Sequence, residues 1–102
     1  MNRLQENDYI YFAYIKNDEV HTFNQRVNCI DEQYGLYMCS GGAYPINCIG
    51  RVIETCDSSQ TACSYSESDA KQILIKYHRE QIDYHIRNVD RHQNYIELLE
   101  AQ

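Results

Sequence analysis

A chain of 102 residues with no Trp, 2 Phe and 10 Tyr has room for one compact domain plus an extension, and little apolar surface to spare for stability. Its formal charge of −6 and pI near 5.0 argue against direct binding to nucleic-acid phosphates, which calls for a basic stripe. No apolar run is long enough to span a bilayer and Met1-Asn2-Arg3-Leu4-Gln5-Glu6 does not read as a signal peptide, so the expectation is a cytoplasmic protein without a membrane partner.

In chain order, Tyr9 to Ile15 is aromatic and branched and predicts a first strand, closed by a turn at Asn17-Asp18. Val20 to Ile30 is the second strand, Asp31-Glu32-Gln33 a turn, and Tyr34 to Cys39 the third strand, followed by a tight turn at Ser40-Gly41-Gly42. A short fourth strand surrounds Tyr44 to Cys48. Pro45 lacks an N–H donor, which places that strand at an edge or makes Pro45 its first residue. After a bend at Gly50, Arg51 to Thr55 is a fifth strand, and Asp57 to Thr61 reads as a polar loop. Ser66 and Asp69 resemble a capping box, and from Glu67 to about Glu100 there is neither Gly nor Pro. The fold class expected is α+β: a small antiparallel sheet or bent barrel of four to five strands over residues 1–65, then one long C-terminal helix over 66–102.

That helix carries a heptad. Ile75, Ile82, Val89 and Ile96 fall at position a, and His78, His85, His92 and Leu99 at position d, which predicts an oligomer interface along these eight residues. Branched residues at a favour a parallel pair, and an antiparallel pair is the alternative. A helix of this extent is ~50 Å long at 1.5 Å per residue, while a body of about 65 residues spans only ~20–25 Å, so much of it must project, fold back or meet another chain. If it folds back, the same face lies on the protein's own sheet with histidines at the boundary. In a parallel seam the histidines would stack on their own copies, and protonation near pH ~6.5 would set like charges opposite each other. Histidines from two chains could hold zinc or nickel; within one helix they lie ~10.5 Å apart, too far to share an ion. No metal or other cofactor is assigned.

The 5 Cys, at 29, 39, 48, 56 and 63, are odd in number and contain no Cys-x-x-Cys pair, so reduced, mostly buried thiols are expected. Cys56 and Cys63 bracket the polar loop and could be bridged under oxidation. His21 is the single histidine of the body, and Cys29 or Cys39 could approach it across the sheet. With no Gly-x-Ser-x-Gly, phosphate-binding glycine loop or His-Glu-x-x-His, no catalytic residues are assigned and an enzyme is the least favoured class. The tyrosines suit recognition, and Tyr9, Tyr11, Tyr34, Tyr37 and Tyr44 form a candidate partner-binding set; a barrel core closed by tyrosine explains them equally.

Asp8-Tyr9-Ile10-Tyr11-Phe12, Ile49-Gly50-Arg51-Val52 and Ser66-Glu67-Ser68-Asp69-Ala70 together resemble small β-barrel-plus-helix proteins of phages and mobile elements of gut bacteria. The resemblance implies a chain acting inside a bacterial host, where such acidic oligomers serve as anti-defence inhibitors, including anti-CRISPR proteins. The expected function is therefore a non-enzymatic homo-oligomeric binding protein that blocks a host or defence protein by surface occlusion. The alternatives are a sponge for a small nucleotide-type ligand and a pH- or metal-responsive switch on the histidine seam.

Overall fold

The computed structural model describes residues 3–54 and 60–101. Strands β1 (Tyr9–Lys16) and β2 (Glu19–Asp31) form a hairpin in register from Tyr9↔Arg26 to Lys16↔Glu19. Its two-residue turn, Asn17-Asp18, has φ of 53° and 62°. Two successive positive φ values match the right-handed twist of the flanking strands, and Asn and Asp tolerate them better than other non-glycine residues.

At 13 residues, β2 is long enough to serve two partners. Its first half pairs with β1 and its last residues with β3 (Leu36–Cys39), and the register slips between Val27 and Cys29. A bulge there bends the strand, which curls the sheet around its contents. The turn into β3 is fixed by Asp31, whose Oδ1 accepts from the Tyr34 N–H at 3.1 Å, and by Gly35 at φ 65°. Strand β4 (Gly42–Pro45) closes one edge, with Pro45 as its last residue, and a 3₁₀ turn at Ile46–Cys48 follows. Strand β5 (Val52–Glu54) forms the opposite edge.

A sixth strand, β6 (Gln60–Ser64), lies between β1 and β5 and gives the antiparallel order β4-β3-β2-β1-β6-β5. It corrects the expected polar loop at its end: Gln60 and Thr61 are strand, while Asp57, Ser58 and Ser59 lie outside the described residues. Among the described residues the sheet therefore has six strands rather than four or five. Thr61 through Ser64 are buried in succession because the core covers one face of β6 and the helix the other, so the strand shows no polar alternation.

Ile10, Phe12, Val27, Tyr37, Cys48 and Cys63 fill the concave side of the sheet. Phe12 stacks on Phe23 at 4.6 Å and meets Tyr44 at 4.9 Å between ring centroids. The Tyr37 hydroxyl accepts a hydrogen bond from the Leu4 N–H at 3.1 Å, tying the N-terminal segment over this core. Tyr37→Phe removes that acceptor and strands a buried donor. The expected loss is about 1–3 kcal/mol in chemical denaturation, with faster hydrogen exchange at the Leu4 amide as the local readout.

Helix α1 (Glu67–Glu100) is capped by Ser66, whose Oγ accepts from the Asp69 N–H at 3.1 Å. Glu67 joins it to the body by accepting from Thr22 Oγ1 at 3.2 Å, and Lys71 pairs with Glu67 at 3.3 Å. On the convex side of the sheet, Ala13 of β1 opposes Ala62 of β6, and these small side chains leave a flat platform for Ala70 and Leu74. Beyond the first few turns the helix runs clear of the sheet. The molecule measures 64 × 32 × 26 Å, the long dimension being set by the ~50 Å helix.

Candidate functional site

Burial divides α1 into two parts. The stripe that meets the sheet is Ala70, Ile73, Leu74 and Tyr77, spaced at three and four residues. The heptad positions lie on a neighbouring stripe, so the fold-back arrangement is not adopted. Ile75, Ile82, Val89, Ile96 and Leu99 are all exposed, Ile82 at 58% and Leu99 at 71%. His78, His85 and His92 are exposed between them, each in edge contact with a tyrosine: Tyr77, Tyr84 and Tyr95. Ile86 widens the apolar surface. A charged and polar solvated helix would not present branched aliphatics along one face from Ile75 to Leu99.

Where this face passes the body it becomes one wall of a groove of about 520 Å³. Ile15 and Val20, which flank the β1–β2 turn, form the other wall against Leu74, Ile75 and Ile82. Lys71, His78 and Arg79 complete the lining. Ile75, His78 and Ile82 belong to the heptad, whereas Ile15, Val20 and Leu74 join them only through the fold. A branched pair beside a hairpin turn is visible in the chain, but its exposure and its place opposite the helix are set by the fold.

The five tyrosines considered for partner binding do not share one face. Tyr37 is 1% exposed and belongs to the core, which corrects its place in that set; its hydroxyl is held by Leu4. Tyr44 is half-buried against the same core. Tyr9 and Tyr11 lie on the helix side, 6.5 Å apart, and Tyr34 is exposed in the β2–β3 turn.

The thiols are also dispersed. His21 stacks on Tyr14 at 5.2 Å, while Cys29 lies eight residues further along the same strand and Cys39 pairs opposite Val27. At ~3.4 Å per residue, both cysteines are roughly 20 Å or more from the imidazole, so the nucleophile–base pairing is not formed. Cys48 and Cys63 meet in the core. Hydrogen bonding to Cys48, then burial, pushes the Cys63 thiol well above the ordinary thiol range. Burial likewise raises Cys39. Cys56, the other half of the bridge considered under oxidation, lies outside the described residues.

This arrangement predicts that native-state alkylation reaches the exposed Cys29 first. Cys48 and Cys63 should react roughly a hundredfold more slowly, as a local opening costing about 3 kcal/mol would require. Peptide mass spectrometry reads each site separately, and equal rates at Cys29 and Cys63 would contradict the packing.

Among the described residues, no three His, Cys, Asp or Glu side chains converge as a metal site, and no helix is long and apolar enough to cross a membrane. Compared with known proteins, the chain matches no family model, no curated protein and no solved structure.

Proposed function

We propose that this chain is a non-enzymatic, self-associating binding protein whose C-terminal helices pair along the heptad face, so that two sheet bodies are displayed by one dimer. The observation that carries this reading is the exposure of Ile75, Ile82, Val89, Ile96 and Leu99 on one stripe of a helix that leaves its own sheet. Helices in proteins draw most of their stability from packing an amphipathic face, and burying these side chains against a second copy supplies the packing that the body does not. Light scattering over a concentration series tests it: a mass of twice 12.1 kDa supports the reading, and a monomer throughout removes it.

In its finer form, the displayed bodies occlude a surface of a host defence protein. The motif resemblance and the charge of −6 support that form, the charge by suiting a basic partner surface. Expressing the chain in bacteria with a defined CRISPR interference system and scoring plasmid survival tests it. Restored transformation supports inhibition, and unchanged interference across a panel of such systems removes it.

A further inference from the structure

We infer that the two helices pair antiparallel, with the last turns of each helix seated in the groove between the other copy's helix and its β1–β2 hairpin. The inference rests on the self-association proposed above and adds its direction and its receiving site.

The groove and the end of the helix are complementary in both apolarity and charge. The groove is walled by Ile15, Val20, Leu74, Ile75 and Ile82, and Lys71 and Arg79 stand in its lining. On the pairing face the C-terminal turns offer exposed Tyr95, Ile96 and Leu99, with Glu97 and Glu100 beside them. Residues 70–79 contain three cations and no acid, and residues 93–102 two acids and no cation. The last turn of α1 thus holds carboxylates with no basic residue, at the helix end where the peptide dipoles already place negative charge. That arrangement is unfavourable for an isolated helix. An antiparallel copy brings Lys71 and Arg79 to this end, whereas a parallel copy brings the same carboxylates and the same dipole end.

The heptad fits the reversed direction equally well. Antiparallel pairing sets each a position against a d position, and seating Leu99 on the partner's Ile75 places Ile96 on His78, His92 on Ile82 and Val89 on His85. Ile86 then lies beside its own copy at the two-fold axis. Every histidine meets a branched aliphatic side chain in this register, while a parallel register stacks three histidine pairs. The hairpin residues Ile15 and Val20, 47% and 60% exposed, gain a further apolar neighbour where the partner's helix ends in this register.

The deciding experiment uses the full chain with Leu99→p-benzoylphenylalanine, mixed with ¹⁵N-labelled protein so that intermolecular cross-links are distinguished by mass. After irradiation, the expected cross-links join position 99 to residues 71–82 or 15–20 of the other copy. A dimer that cross-links instead to the partner's residues 95–102, or to neither region, overturns the antiparallel seating and leaves self-association intact. A monomer by light scattering at every concentration overturns both. Leu99 is exposed, so the substitution leaves the body's packing untouched.

Discussion

Ile82→Asp is expected to convert the proposed dimer into a monomer without unfolding the chain. In the single copy Ile82 is more than half exposed, so its replacement changes the fold only through helix propensity, by roughly 0.5 kcal/mol. Within the proposed seam the same change removes a branched side chain from the contact and sets a carboxylate in its place, twice per dimer. Aspartate is too short to carry its charge out to solvent, as a lysine stem would. Truncating a buried isoleucine costs about 2–5 kcal/mol, and a loss of about 3 kcal/mol weakens association more than a hundredfold. Light scattering at a concentration where the unmodified chain is dimeric reads the mass, and circular dichroism verifies the helix. A dimer of undiminished stability would place the contact elsewhere on the molecule.

Phe12→Ala is expected to give the largest loss of stability of any single change in the body. Phe12 has no exposed surface and lies between Phe23 and Tyr44 on the central strand β1. Truncation removes the largest apolar side chain of the core together with two ring contacts. Such substitutions cost about 3–5 kcal/mol, against a total of about 5–15 kcal/mol for an ordinary domain. A body of this size stands at the lower end of that range, so the variant should be largely unfolded near 37 °C. Thermal melting followed in the tyrosine near-ultraviolet signal measures it. Phe23→Ala provides the contrast: Phe23 is 39% exposed, lies on the rim of the same stack and should lose about half as much.

Much of this architecture is local and therefore written in the chain. The first two strands announce themselves through aromatic and branched residues, the hairpin through Asn17-Asp18, and the helix through Ser66, Asp69 and the absence of Gly and Pro beyond them. Strand β6 was hidden because its residues are small or polar and lie under both the core and the helix, which erases the two-residue alternation that betrays a half-exposed strand. Tyr37 and Tyr44 read as recognition residues or as core with equal ease; only packing assigns them to the concave side. The Ile15–Val20 wall depends on a hairpin tip meeting a helix more than 50 residues later, and no local pattern reports such a meeting.

The sequence by itself determined that the chain ends in a long helix with an aliphatic and histidine stripe, because a period of seven over four heptads is a property of one segment and needs no partner to be seen. The tertiary structure decided which face of that helix the body takes. Ala13 and Ala62 form a platform that accepts Ala70, Leu74 and their neighbours at close range, and this docking turns the heptad stripe away from the sheet and toward solvent. Side-chain volume across two strands and a helix, distributed over nearly 60 residues of chain, made that choice, and it is legible only once the three are packed together.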